Sequence, residues 1–273
     1  MKYRLLDCGD YKKVEMLGDY KFIRPCPQAC WKPFNHTLWT NPDVIFERTG
    51  EEKGNYTTIS NKRVPESWTL ENEAGLSWNI EPNEFGNIGI FTEHWIYANK
   101  LEEFFDTGKK ILNLFTYSGS NCVNLVKAGY SVTAVDSSKV ALSTYTRNLE
   151  LNDLSRDGQR LILEDCYKFI SREERRDAKY DGIMVDAPSY GRGTKGEVFK
   201  IEDDIRNILE ACKSILAPKG KMIITLHSPR FTPEILRIMT QQIFSNKIVT
   251  VEEILNTCES GIGLPSGMLV KIA

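Results

Sequence analysis

Three aspartates each follow a short apolar run: Asp136 after 131–135, Asp165 shortly after 161–163, and Asp186 after 182–185. A lone Asp at a strand end is commonly a helix N-cap. Three in succession, preceded by a glycine-containing turn, suit a ligand, because open α/β sheets bind beyond the carboxyl ends of their strands. The turn is Thr116, Tyr117, Ser118, Gly119, Ser120, and Asp136 lies 17 residues after its glycine, where the ribose hydroxyls of a nucleotide would be met. Gly119 would let backbone approach a ligand without a Cβ, and the helix start beyond it offers unpaired N–H groups. A single glycine is not the GxGxxG fingerprint, so a phosphate cradle is not implied and a plain βα turn remains open. After Asp186 come Ala187, Pro188, Ser189 and Tyr190, a proline-stiffened turn able to aim an aromatic ring. His227 follows the apolar run 222–226, where it could orient an acceptor or take its proton; a core or capping histidine is the bland alternative.

The elements that must position these groups alternate. Residues 111–115 read as a buried strand, 121–128 as a helix stopped by Gly129, and 131–135 as a second strand. Ser137 is placed to cap a helix reaching Asn152. Strands follow at 161–163, 182–185, 222–226, 248–254 and 268–272, with helices at 201–216, stopped by 218–220, and at 233–244. This pattern predicts a mostly parallel sheet with helices on both faces.

Residues 1–84 do not alternate in this way. Hairpin signals pair 14–16 with 20–24, 44–48 with 56–60, and 68–72 with 76–80, which predicts a small β-rich domain. Trp31 and Trp39 read as core anchors of that domain rather than stacking platforms. Residues 86–95, GNIGIFTEHW, join it to a second domain, 85–273, through a helix expected at 93–105.

Composition bounds the chemistry. The 273 residues are 41% apolar and 26% charged, as in ordinary globular chains. No apolar run approaches the ~18 residues of a membrane helix, and the N-terminus lacks a signal-peptide core. Seven scattered cysteines suggest reduced thiols and a cytoplasmic protein, and Cys26 with Cys30 lacks the further ligands a zinc site needs, so no metal is expected. The net charge is −2: residues 1–90 carry 11 basic and 13 acidic residues, the remainder 24 of each. There is no global electrostatic footprint for nucleic acid.

The stretch LNLFTYSGS, with AVDSSKVALSTYTRNLELN, LILEDCYKFI and YDGIMVDAPSYGRG in order, resembles the motifs of class I S-adenosylmethionine methyltransferases. The variant is that of the large-subunit rRNA cytosine methyltransferases. The resemblance covers roughly residues 85–273 and implies a Rossmann-like seven-stranded sheet, S-adenosylmethionine as cofactor and RNA, most of all rRNA, as partner. It implies that Asp136 accepts the ribose hydroxyls, Asp165 the adenine amine, and that Tyr117, Ser118 and Gly119 line the methionine part. Phe91, in a segment resembling one that lies against the cofactor, together with Phe115, Thr116, Ser137, Cys166 and Asp186, completes the cofactor set. Asp186, Pro188, Tyr190 and His227 face the acceptor, and Arg192, before Gly193, could meet phosphate. The family's extra N-terminal RNA-binding module is not matched. Nor is its nucleophilic cysteine: 225–229 reads Thr-Leu-His-Ser-Pro, with His227 in the cysteine's place. That departure points away from cytosine carbon-5 and toward a nitrogen or oxygen acceptor. A small-molecule or protein acceptor, or a binding module without catalysis, are the other readings. The oligomeric state is not legible.

Overall fold

The computed structural model describes residues 1–50, 53–105, 110–192 and 198–273. Two compact units divide it: Met1–Trp95 with Leu255–Pro265, and Ile96–Ile254 with Ser266–Ala273.

In the first unit β1 (Tyr3–Gly9), β2 (Lys12–Leu17), β3 (Tyr20–Pro25), β4 (Val44–Arg48) and β5 (Gly54–Thr58) form one sheet in that order. Three of the four pairings are antiparallel, and β3 with β4 is parallel. β6 (Trp68–Glu71) and β7 (Ser77–Ile80) make a separate hairpin. The three expected hairpins are present. Trp31 and Trp39 serve as anchors: their indole N–H groups donate to the Cys8 carbonyl at 3.0 Å and to Asp7 Oδ2 at 2.9 Å.

This unit runs past residue 84, the boundary expected from sequence. Gly54 N–H donates to the Glu84 carbonyl and Glu81 N–H to that of Ile88, while the Trp95 ring packs edge-on to Tyr3 at 6.0 Å. It also takes in a distant segment. Cys258 and Leu264 share a buried cluster with Leu5 and Cys8, and Ser260 Oγ donates to the buried Asp7 carboxylate at 2.7 Å. The helix expected over 93–105 is instead two short ones, α1 (His94–Ala98) and α2 (Leu101–Phe104).

The second unit continues β8 (Lys110–Leu114), α3 (Val123–Lys127), β9 (Ser131–Asp136), α4 (Lys139–Glu150), β10 (Arg160–Leu163), α5 (Cys166–Arg175) and β11 (Tyr180–Asp186). A small hairpin, β12 (Tyr190–Arg192) with β13 (Val198–Lys200), precedes α6 (Ile201–Ile215), β14 (Leu216–Leu226), α7 (Pro233–Ile243), β15 (Val249–Thr257) and β16 (Gly263–Ile272). The seven-stranded sheet has the order β10-β9-β8-β11-β14-β16-β15. The pairings from β10 through β14 are parallel, and β16 returns antiparallel beside β14. Buried residues of β8, β11, β14 and β16 join those of α5, α6 and α7 in one core. Residues 218–220, expected to stop α6, lie inside β14; the helix has already ended at Ile215.

Register brings the chemistry-bearing residues to one edge. Leu163 pairs with Asp136, Leu114 with Val135 and Val185, and Asp186 with Thr225. Phe115, Asp136, Asp165, Asp186 and His227 therefore all fall at the carboxyl ends of neighbouring parallel strands, the edge at which such sheets hold ligands.

Candidate functional site

The turn after β8 is held in a costly conformation. Phe115 and Tyr117 have φ of 58° and 47°, and Gly119 has 71°. Left-handed backbone at two non-glycine residues costs about 1–3 kcal/mol each and persists where surroundings over-determine it. They do so here. Thr116 Oγ1 donates to the Asn113 carbonyl at 2.9 Å, Asn148 Nδ2 to the Ser118 carbonyl at 2.8 Å, and Tyr117 N–H to Asp136 Oδ2 at 2.9 Å. The buried side-chain amides of Asn113 and Asn121 pair reciprocally, folding the turn back on its strand.

Gly119 also has a packing part that the sequence did not announce. A Cβ there would sit 2.1 Å from the Tyr145 ring, so the missing side chain makes room for α4. Helix α4 is capped by Ser138, whose side chain accepts from Ala141 N–H, and not by Ser137. Asp136 Oδ1 accepts from Ser138 N–H at 2.8 Å. Burial raises the Asp136 pKa above its ordinary value, and the backbone N–H groups of Tyr117, Ser138 and Ser137 offset only part of that.

Asp165 takes the bland role: its Oδ1 accepts from Lys168 N–H at 3.0 Å and caps α5. Cys166 is buried, and burial pushes its thiol well above the usual range, which leaves it protonated and unreactive. Cys122 and Cys212 are buried too and shifted the same way.

Asp186 and His227 meet on adjacent strand ends. His227 Nε2 lies 3.4 Å from Asp186 Oδ1, and Thr225 Oγ1 donates to the same oxygen. His227 Nδ1 lies 2.9 Å from the Ser266 carbonyl oxygen, which can only accept, so Nδ1 carries the proton of that bond. Gly267, with φ of 134°, fixes the ring's seat: a Cβ would fall 2.8 Å from Nδ1. Pro188 follows the buried Ala187, and Tyr190, 42% exposed, opens the β12–β13 hairpin. Gly193 and the side chain of Arg192 lie outside the described residues.

Phe91 belongs to the first unit, with its ring 5.6 Å from that of His94. Thr225, Ser266, Gly267, Asn113 and Tyr145 were not singled out from sequence. Of these, only Thr225 carried a signal, two residues before His227 on a strand whose end had to match that of Asp186.

The residues at this edge fit S-adenosylmethionine. Backbone N–H groups of Tyr117, Ser138 and Ser137 meet the Asp136 carboxylate, and of its roughly four lone-pair sites one is left for a hydroxyl. Ser118 is fully buried, and its Oγ has no partner among the described residues, an orphan that a ligand would satisfy.

Known proteins give the same answer. Residues 56–264 match the family model described as S-adenosylmethionine-dependent methyltransferase. A ribosomal RNA large subunit methyltransferase K/L of Shewanella sp. (strain MR-4) is 30% identical over 201 residues, 71% of this chain and 28% of the relative. One from Allochromatium vinosum is 31% identical, over 58% of this chain and 22% of its own length. The chain thus spans under a third of these relatives. The crystal structure of the SAM-dependent methyltransferase from Agrobacterium tumefaciens is 30% identical, with TM-score 0.91, covering 100% of this chain and 90% of that one. A further structure, complexed with SAH, has TM-score 0.80 at 19% identity, covers 99% of this chain and 75% of its own, and shares the fold. The sheet order, the acids along its edge and the match over residues 56–264 agree, and the chain belongs to the S-adenosylmethionine-dependent methyltransferase family.

Proposed function

We propose that this methyltransferase acts on RNA, with rRNA as the acceptor class, and methylates a nitrogen or oxygen atom. The juxtaposition of His227 and Asp186 at the strand end where related enzymes would place a cysteine carries the reading. The RNA part is supported by the relatives named for ribosomal RNA.

S-adenosylmethionine, when bound, supplies a sulfonium methyl as the electrophile. Asp136 would accept a ribose hydroxyl and Asp165 the adenine amine, with Phe91, Phe115, Thr116, Tyr117, Ser118, Gly119, Ser137 and Cys166 around them. Asp186, near the positive sulfur, would also serve the acceptor. Because Nδ1 of His227 is committed to Ser266, Nε2 is the ring's base. An acceptor N–H or O–H brought within hydrogen-bond reach of Nε2 would lose its proton to the imidazole, and the Asp186 carboxylate 3.4 Å away would steady the imidazolium formed. Pro188 and Tyr190 would offer a stiff turn and a ring for a planar base to stack on. Most of the acceleration would come from positioning, since methyl transfer is an in-line displacement. Residues 1–84 would serve substrate selection and the remainder catalysis. Among the described residues no helix is long and apolar enough to cross a membrane, and we place the protein in the cytoplasm, where rRNA and reduced thiols occur.

Transfer of labelled methyl groups to total RNA, followed by mass mapping of the modified nucleotide, tests this. A modified nitrogen or ribose oxygen supports the reading. A covalent adduct with 5-fluorocytosine-containing RNA, mapped to any cysteine, overturns the choice of acceptor atom. S-adenosylmethionine binding with no transfer to any RNA overturns the choice of substrate.

A further inference from the structure

The two turns that face the acceptor meet at the first residues of α6. Ile201 N–H donates to the Ser189 carbonyl at 3.2 Å, which ties the helix to the Pro188–Tyr190 turn after β11. One residue on, Glu202 Oε1 accepts from Ser228 Oγ at 2.5 Å, which ties the helix to the turn after β14 that carries His227. Ser228 is buried. The Ser228 hydroxyl first, and its own backbone N–H next, hold the Glu202 carboxyl below the usual carboxylate range, so it is a charged acceptor at neutral pH.

The bonds within the His227 turn are weak by comparison. Arg230 N–H reaches Ser228 Oγ, and Phe231 N–H the Ser228 carbonyl, at 3.4 Å each. Pro229 has no N–H to give. The charge-assisted bond to Glu202 is the stiffest of these three holds. Its other end is firm: Ile201 and Ile205 are buried in the core, and the Tyr167 hydroxyl donates to the Asp204 carbonyl at 2.9 Å. An acid in a helix's first turn also meets the positive end of the helix dipole, and Asp203 and Asp204 share that part. The dipole accounts for an acid at 202, and not for its bond to the serine beside His227.

We propose that Glu202 is a positioning residue: through Ser228 it holds the turn that seats the His227 imidazole, and through α6 it fixes that turn relative to Tyr190. The effect on rate rests on the reading of His227 as the base; the effect on the ring's seat does not. A misplacement of about 1 Å in such a group can cost about 10²-fold.

The test is made on the full chain, with Glu202→Ala and Ser228→Ala to break the bond and Glu202→Gln to keep an oxygen that accepts the hydroxyl without the charge. The chain has three histidines, His36, His94 and His227, so their ring ¹⁵N signals are few, and His227→Ala assigns one of them. These signals report which ring nitrogen carries the proton. His227 should lose its single Nδ1–H form in Glu202→Ala and Ser228→Ala and keep it in Glu202→Gln, while His36 and His94 stay unmoved. Single-turnover methyl transfer to total RNA should fall about tenfold in the first two variants, with S-adenosylmethionine affinity unchanged, and Glu202→Gln should keep most of the rate. In a His227→Ala background Glu202→Ala should cost little more. A His227 signal that Glu202→Ala and Ser228→Ala leave unchanged overturns the proposal, whatever the rates. So does a Glu202→Gln signal displaced as far as that of Glu202→Ala, since the charge and not the bond would then be at work. A full, multiplying loss in the His227→Ala background overturns it too, as does a displaced ring with no loss of rate where His227→Ala is slow. If Glu202→Ala does not fold, Ser228→Ala and Glu202→Gln decide on the same terms. If the ring is displaced in these variants while His227→Ala itself transfers at full rate, the base reading falls and the positioning of the ring stands.

Discussion

The Ser266 carbonyl oxygen lies 2.9 Å from Nδ1 of His227, 39 residues away in sequence, and so chooses which ring nitrogen faces Asp186. His227→Ala should slow methyl transfer by about 10²–10⁴-fold, the usual worth of a general base, while S-adenosylmethionine affinity stays nearly constant. Single-turnover rates and calorimetry on the same preparation check both halves. An unchanged rate would return the residue to a structural role.

Gly267→Ala tests the seat of that ring. The new Cβ would lie 2.8 Å from Nδ1 and must push the imidazole off its carbonyl. The rate should fall at least tenfold in the native background and hardly further when His227 is already alanine. Independent, multiplying losses would show that Gly267 acts elsewhere.

Asp136→Asn separates stability from function. A carboxyl whose folded pKa is raised above its unfolded value near ~3.8 binds its proton more tightly when folded. Its stabilising contribution is complete below the unfolded value and is lost as pH rises through the folded one. At neutral pH the charged group is therefore a burden, but the amide nitrogen cannot accept from the Tyr117 or Ser138 N–H, so relief and loss oppose each other and the thermal midpoint should shift little. S-adenosylmethionine affinity should drop at least tenfold, about 1.4 kcal/mol, through loss of a charge-assisted acceptor. Thermal scans beside titrations at one pH decide the matter.

Gly119→Ala should cost about 3 kcal/mol or more in denaturant unfolding. It adds left-handed strain to a Cβ set 2.1 Å from the Tyr145 ring. Tyr145→Ala in the same chain should recover the steric share and not the backbone share. A loss below ~1 kcal/mol would mean the turn relaxes easily.

Glu15 sets the acid limit of the first unit. Burial alone would raise its pKa, but Arg24 and Lys13 bring it down from 4.5 to about 2. Its contribution, about 3 kcal/mol by linkage, is present above the unfolded value and lost as pH falls from about 4.5 toward 2. Glu15→Gln should flatten the acid limb of the stability curve and lower stability at pH 7, because Arg24 is left buried without its carboxylate. Equilibrium unfolding between pH 2 and 7 reads both effects.

The parallel core was legible because its strands are buried on both faces and read as apolar runs, Ile111 to Leu114 and Met222 to Leu226 among them. β1 was not, because its run carries the buried Asp7 and a register shift between Leu5 and Asp7 that breaks any alternation. The parallel joining of β3 to β4 escaped a reading that pairs neighbours as hairpins. At the site, the acids announced themselves by position, but their partners did not. Ser266 reaches His227 only because β16 returns antiparallel beside β14, and nothing local in Ser-Gly marks that. Gly119 was visible as a glycine, yet which neighbour fills its missing side chain depends on a tyrosine 26 residues later.

The discontinuity of the first unit bears on synthesis. Residues 1–95 leave the ribosome before the second unit, but Leu5 and Cys8 find Cys258 and Leu264 only once residue 264 has emerged, with Cys8 and Cys258 separated by 250 positions. Most of the second unit, uninterrupted from Ile96 to Ile254, is available earlier. The portion translated first is the one completed last, and until then its unfinished core is the surface that a chaperone would have to guard.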